Sequence, residues 1–293
     1  LAVTMNSPDL DAARHFLAAN ARILELRRFE HLFADGDHAP IRDAVAAYRN
    51  PDGGFGNRLE PDCPCPGSHP MAIDFALRTL HEADVWDLEL VDGACRWLEE
   101  HAPAEGGAVF PGPFAAGWAP YAPWYTPEEG GPASLLSTAS IAGTLHARGV
   151  VHPWLVRATD LVWSLVDARI TTDPEEVCPA VRFLDHVPDR ERATETVARL
   201  GSHLFQHGMV TLDPGAPGRV HTPLDYAPFP GSCCRVLFEP SVVEAHLDHL
   251  AGTQRDDGGW PIDFPAASPV AELAWRGHFT VEALQILRAN GRV

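Results

Sequence analysis

The chain of 293 residues is acidic, with a formal net charge of -18, and 45% of its residues are hydrophobic. This charge argues against nucleic acid and anionic membrane surfaces as partners. All 22 basic residues are arginine, so the lysine that Schiff-base chemistry or a P-loop requires is absent. No apolar run is long enough to span a membrane, and no signal-peptide pattern opens the sequence. A cytoplasmic protein with reduced thiols is therefore predicted.

Apolar residues recur at helical spacing along most of the chain, and strand patterns are nearly absent. A first long helix is predicted over residues 8–34, with Ser7 and Asp9 suited to its N-cap and first turn. Further helices are predicted over residues 41–49, 70–83, 88–101, 133–147, 153–168, 174–186, 189–207, 240–253 and 267–290. Most of them begin with Pro or Asp and several end near Gly, as helix capping favours.

Glycine turns followed by an aromatic residue recur between these helices. They lie at residues 53–55, 106–110 and 258–260, with a degenerate copy at 208–212. The first glycine can adopt a positive φ, and the aromatic side chain can fill the gap between neighbouring repeats. Gln254, ahead of the last turn, is predicted to bond a neighbouring helix terminus. A fixed spacing of about 50 residues is typical of a repeat architecture in which helix pairs stack.

The segment Gln254-Arg-Asp-Asp-Gly-Gly-Trp260 resembles the QW-type repeat of the terpenoid cyclase and protein prenyltransferase family. Asp52-Gly-Gly-Phe55, followed by the helix at 71–80, is similar to that family's Gly-Gly-Phe repeat, and residues 133–145 are similar to its inner helices. The resemblance implies an all-α fold, an (α/α)6 toroid formed by residues 1-293 as one domain. It also implies a hydrophobic central cavity, and isoprenoid chemistry less directly, because a fold does not determine a function.

The sequence departs from this family's catalytic motifs. The Asp-x-Asp-Asp motif of class II cyclases and the Asp-Asp-x-x-Asp motif of class I cyclases are both absent. Zinc prenyltransferases carry an Asp-x-Cys motif at one inner helix and a histidine on the following one. Asp62, Cys63 and Cys65 lie roughly where the first motif is expected, and His278 resembles the second. However, His278 would lie on the preceding repeat rather than the following one.

Residues 60–69 contain the densest group of reactive side chains. Glu60 and Asp62 could serve as general acid or base, because burial at a cavity would raise their pKa values. The alternative is that their charges complement a helix dipole. Asp62 is predicted to be the acid. Cys63, Cys65 and His69 could bind zinc, although a proline-rich loop with incidental thiols is the favoured explanation.

Acid/base partners are predicted further along the chain at Asp185, Asp225 and His278. Each of them could equally be a solvated or structural group. Arg276, two residues before His278, is predicted to hold an anionic group of the substrate, because arginine binds carboxylate and phosphate through two hydrogen bonds.

Aromatic side chains are predicted to line the cavity and contact the substrate. Their faces stabilise cations by about 0.5 to 2 kcal/mol each. Ordinary core packing is the alternative, and it is favoured for the last of the set. The predicted residues are Trp118, Tyr121, Trp124, Tyr125 and Trp275.

These observations predict a cyclase or isomerase that acts by acid/base catalysis on a small hydrophobic substrate of isoprenoid type, without a cofactor. The first alternative is a zinc-dependent prenyltransferase. The second is a non-catalytic toroid that binds a ligand or a protein.

Overall fold

Helices dominate the described part of the chain. A computed structural model describes residues 7–110, 114, 116–125, 131–168 and 171–293. Within these residues there is no β-strand, and a short 3-10 helix occupies Cys233–Leu237. The α-helices are α1 (Leu10–Asn20), α2 (Ile23–Phe33), α3 (Ala39–Ala46), α4 (Pro70–Glu82), α5 (Leu88–His101), α6 (Leu135–Ala147), α7 (Pro153–Ala168), α8 (Pro174–His186), α9 (Arg190–Gln206), α10 (Pro223–Tyr226), α11 (Pro240–Gly252) and α12 (Pro269–Ala289). The predicted all-α class is confirmed.

The helices are grouped in two compact units. Unit 1 comprises the chain up to Asp37, Thr194–Pro265 and Glu272–Val293. Unit 2 comprises His38–Ala193 and Ala266–Ala271. The prediction of one domain over the whole chain stays a prediction. None of the helices in the described residues is long and apolar enough to cross a membrane.

The predicted bounds agree with the structure for α5, α7 and α8, whereas the first predicted helix is divided. Ala21 and Arg22 adopt extended backbone conformations, with ψ angles of 170° and 154°, and separate α1 from α2. Arg22 Nε then donates to Glu25 Oε2 over 3.0 Å in the first turn of α2. The helical periodicity of the apolar residues continues through this break, so the sequence pattern alone does not reveal it.

Unit 2 is built around α6, which packs against α4, α7 and α8. Ten of its 13 residues are buried, because small side chains allow the neighbouring helices to come close on several sides. At Gly143 an added Cβ would lie 2.9 Å from the Cα of Phe183 in α8. The core of unit 2 is therefore centred on α6, and α4 is one of the helices packed against it.

The two sharp glycine turns have the predicted conformation. Gly53 and Gly258 have φ angles of 89° and 90°, and Phe55 and Trp260 are buried. Gln254 accepts from the backbone N–H of Asp9 over 2.8 Å and donates to the Asp9 carbonyl over 2.9 Å. Asp9 is the N-cap of α1, so the predicted bond from Gln254 to a helix terminus is confirmed.

Candidate functional site

The candidate site of unit 2 is a loop that closes on itself between the first glycine turn and α4. Its ends are joined by a hydrogen bond of 3.0 Å from the His69 N–H to the Phe55 carbonyl. Inside this closure, the Asn57 N–H donates to the Pro66 carbonyl over 3.3 Å. We call residues 55–69 the acid loop. Because both ends are anchored by backbone bonds, its interior side chains are held without a helix or strand of their own.

The backbone of the acid loop is strained directly before its carboxylates. Asn57 and Arg58 have φ angles of 55° and 67°, in the left-handed region that non-glycine residues rarely occupy. Such residues cost about 1 kcal/mol or more each and tend to cluster at functional sites. The turn they form is followed by a buried run from Leu59 to Cys63. The strain therefore accompanies the burial of two acidic side chains.

Glu60 is the most unusual carboxyl group of the acid loop. It is 2% exposed, receives a hydrogen bond from the Tyr125 hydroxyl, and accepts from the backbone N–H groups of Asp62 and Cys63. Burial, together with the negative charge of Asp62, raises the pKa of Glu60 to about 8, although the three hydrogen bonds act in the opposite direction. Glu60 is thus a carboxylic acid that keeps its proton near neutral pH.

Asp62 connects the acid loop to two distant segments of unit 2. Its Oδ1 accepts from the Ala267 N–H over 2.8 Å, and its carbonyl accepts from the Ala122 N–H over 3.2 Å. The side chain is completely buried. A buried carboxylate bonded to a backbone N–H is positioned to act through its charge on Glu60. The predicted assignment of Asp62 as the acid stays a prediction, and the geometry favours Glu60 for proton donation.

The predicted aromatic set divides between the two units. Tyr125 is 3% exposed and packs with Cys63 and Cys65, and Tyr121 packs against this group. Trp118 and Trp124 lie in the same segment, but their side chains are 48% and 42% exposed. Tyr125 therefore packs with thiols of the acid loop, and Tyr121 packs against the cluster that contains them. The sequence could not separate them, because the segment has no periodicity from which burial could be inferred.

Trp275 belongs to unit 1 and packs in an aromatic cluster. Its ring lies 5.5 Å from Phe264 and 5.7 Å from Phe279, measured between centroids. This arrangement agrees with the core-packing alternative that the sequence favoured for Trp275.

Arg276 participates in the second glycine turn. Its Nε donates to the Trp260 carbonyl over 3.1 Å, and Nη2 donates to Asp257 Oδ1 over 2.7 Å. The guanidinium also lies 4.4 Å from the centre of the Phe16 ring. These contacts favour a structural role, in which Arg276 holds the turn, over the predicted binding of a substrate anion.

The predicted acid/base partners lie in different surroundings. His278 in unit 1 is 5% exposed, with Nδ1 3.2 Å from Arg28 Nη1 and Nε2 4.0 Å from Glu282. Asp225, also in unit 1, is exposed and forms a capping box with Thr222 at the start of α10. Asp185 is half-buried near the end of α8 in unit 2. Asp225 and His278 therefore belong to unit 1, and Asp185 belongs to unit 2.

The predicted zinc ligands Cys63, Cys65 and His69 all lie in the acid loop, and all three are buried. Within the described ranges, no group of three or more His, Cys, Asp or Glu side chains is arranged to hold a metal ion. Burial raises the pKa of Cys63 to about 12 and also raises that of Cys65, which disfavours their thiolate forms. His69 Nδ1 accepts the Ala72 N–H. Zinc binding by these residues stays a prediction.

Replacing Asp62 with asparagine should lower the pKa of Glu60, because it removes the adjacent negative charge. The amide oxygen can still accept the Ala267 N–H, and desolvation continues to favour the protonated acid. The fall in thermal midpoint with rising pH begins near the ordinary pKa of glutamate in both proteins, and it should level off at a lower pH in the variant than in the wild type. A pH series of melting curves for both proteins measures this; an unchanged profile contradicts the coupling.

The comparisons with known proteins address the fold. No protein-family model matches the sequence, and no curated protein matches it. The structure is similar to the crystal structure of a protein from Actinoplanes, with a TM-score of 0.61. The two chains share 16% sequence identity, and the match covers 96% of this chain and 99% of that one. At this identity the similarity extends to the fold alone.

Proposed function

We propose that this protein is an acid/base enzyme of the cyclase or isomerase type, in which Glu60 protonates a hydrophobic substrate. The observation that carries the proposal is the Glu60 carboxyl group, which is buried and has a pKa raised to about 8. A general acid is most effective when its pKa lies near the working pH, because it is then both protonated and able to give up its proton. Perturbed carboxyl groups of this kind concentrate at functional sites.

The surroundings of Glu60 suit a reaction that begins with protonation. Transfer of the Glu60 proton to an alkene carbon forms a C–H bond, uses the π electron pair and leaves a carbocation and a carboxylate. Loss of a proton from an adjacent carbon to a base then restores a double bond, so the isomerisation has no net redox change. The negative charge of Asp62 stabilises positive charge nearby, and the rings of Tyr125 and Tyr121 can contribute about 0.5 to 2 kcal/mol each.

We propose the (α/α)6 toroid as the architecture that holds this site. The recurring helix pairs and the glycine turns at residues 53–55, 106–110 and 258–260 support it. An inner helix layer around α6 is also what such a fold requires in unit 2. In this arrangement the acid loop would lie at the N-terminal end of an inner helix, where its carboxylates can meet a substrate in a central cavity.

The zinc-dependent alternative is less favoured, because burial raises the pKa of its thiols and no group of three or more ligands is arranged for a metal ion in the described part of the chain. The other alternative is a non-catalytic binding protein, and a functional experiment has to distinguish it from the proposed enzyme. It predicts that Glu60 matters for stability or affinity, while no covalent change occurs in any ligand.

Solvent deuterium incorporation tests the proposed enzyme. The purified protein is incubated in deuterated buffer with acyclic isoprenoid alkenes and alcohols, and the products are analysed by mass spectrometry. The wild type should place a solvent deuteron on carbon in a rearranged or cyclised product. Glu60→Gln should reduce the rate roughly 100- to 10,000-fold, the range attributed to general acid catalysis.

The matched control is Glu100→Gln, which changes an exposed glutamate on α5 of the same unit. It should incorporate deuterium at the wild-type rate. Product formation by Glu60→Gln at the wild-type rate would exclude Glu60 as the acid. The absence of deuterated product from every substrate with the wild type would favour the non-catalytic alternative.

A further inference from the structure

His69 caps α4 in an unusual way. It is the N-cap residue, and its Nδ1 accepts the backbone N–H of Ala72 over 3.3 Å. A ring nitrogen that accepts an N–H carries no proton itself, so the neutral imidazole must hold its proton on Nε2. Burial lowers the pKa of His69 to about 4, which agrees with a neutral ring. His69 therefore presents a fixed N–H donor at Nε2.

The Nε2 donor of His69 is buried without a hydrogen-bond partner among the described residues. The whole residue is only 1% exposed. Leaving a buried donor unsatisfied is unfavourable, and such groups usually bind a water molecule or a ligand. Ser, Thr, Asp or Asn would cap the helix equally well without this donor. Capping alone therefore does not account for an imidazole at this position.

The unsatisfied donor belongs to the same closed loop as Glu60. The His69 N–H closes the acid loop at the Phe55 carbonyl. Glu60 Oε2 is likewise buried without a hydrogen-bond partner within the described ranges. The acid loop thus holds two buried groups with remaining hydrogen-bonding capacity, one on the acid and one on a neutral imidazole.

We infer that His69 Nε2–H donates a hydrogen bond to a neutral oxygen of the substrate, so that the substrate is a hydrophobic molecule bearing a carbonyl, hydroxyl or ether group. This inference rests on the proposed function. The buried negative charge of Asp62 disfavours a carboxylate or phosphate in the same loop. A pure hydrocarbon would leave the donor unsatisfied, and sites with buried donors reject analogues that lack the acceptor. His69 is a substrate-positioning residue, and Glu60 supplies the proton.

His69→Asn tests the inference, because asparagine keeps the N-cap acceptor, while its shorter side chain ends before the Nε2 position and places no donor there. The probes are dodecane and the methyl ketone of the same chain length, with affinities measured by titration calorimetry. The wild type should bind the ketone roughly threefold to tenfold more tightly than the alkane, as expected for one buried hydrogen bond. In His69→Asn the two affinities should become equal, while the melting temperature does not fall. His249→Asn, at an exposed position of α11, is the control and should keep the preference.

Three results would overturn the inference: equal affinities in the wild type, a preference that persists in His69→Asn, or no binding of either probe. Glu60→Gln separates this failure from failure of the proposed function. The Glu60→Gln variant should still bind the ketone more tightly than the alkane through His69, whether or not this variant catalyses proton transfer. If Glu60→Gln retains full turnover while His69→Asn loses the preference, the acid assignment fails and the ligand class stands.

Discussion

Glu60→Gln should remove most of the fall in stability that the wild type undergoes between about pH 5 and about pH 8. The pKa of Glu60 is about 8 in the folded chain, compared with an ordinary value of 4.5. Across this interval the folded protein keeps a proton that the unfolded chain has lost. The stabilisation is therefore fully present below the ordinary pKa and is lost as the pH rises through the folded pKa. One such proton corresponds to a slope of about 1.4 kcal/mol per pH unit.

Glutamine is neutral at every pH and can still accept the hydrogen bond from Tyr125, so the variant isolates the titration of Glu60. Melting temperatures recorded across the interval should converge at low pH and separate at high pH, with the variant more stable. Glu100→Gln, the exposed control, should follow the wild-type curve. A variant that loses stability in parallel with the wild type would show that Glu60 is not the group responsible.

Gly258→Ala should strongly destabilise unit 1 and lower the free energy of unfolding by roughly 2 to 5 kcal/mol. Gly258 has a φ angle of 90°, which alanine rarely adopts. An added Cβ would lie 2.1 Å from the carbonyl oxygen of Ala12 in α1, and a backbone atom cannot rotate away. The substitution must therefore move the turn away from α1 and disturb the bonds between Gln254 and Asp9.

Gly252→Ala is the matched control for this effect. Gly252 is the last residue of α11, and an added Cβ would meet nothing within 4 Å. Alanine at a helical position is favoured over glycine by up to about 1 kcal/mol, so this variant should be as stable as the wild type or slightly more so. Urea denaturation of the three proteins compares them directly. Equal midpoints for Gly258→Ala and the wild type would show that the turn can move without cost.

Local sequence patterns were sufficient to predict much of the secondary structure. The bounds of α5, α7 and α8 follow from apolar periodicity and terminal Pro, Asp and His residues, which act within one or two turns. The turns at Gly53 and Gly258 follow from glycine's access to positive φ, and the role of Gln254 follows from its place beside such a turn. The division between α1 and α2 was not predicted, because the apolar spacing continues across Ala21 and Arg22.

The roles of the residues in the candidate site depend on long-range contacts, which local sequence patterns do not reveal. The sequence named both Glu60 and Asp62 and favoured Asp62, whereas burial and hydrogen bonds favour Glu60 as the proton donor. That distinction arises from the burial of Glu60 and from the charge of Asp62. Asp62 is held by the N–H of Ala267, which is distant along the chain and has no motif relating it to the acid loop. Arg276 was likewise predicted to bind an anion, whereas its hydrogen bonds to Trp260 and Asp257 favour a structural role. Most helices and turns depend on neighbouring residues, so the sequence alone was enough to predict them. The protonation of a buried carboxyl depends on desolvation and through-space charge, and only the tertiary structure decides these.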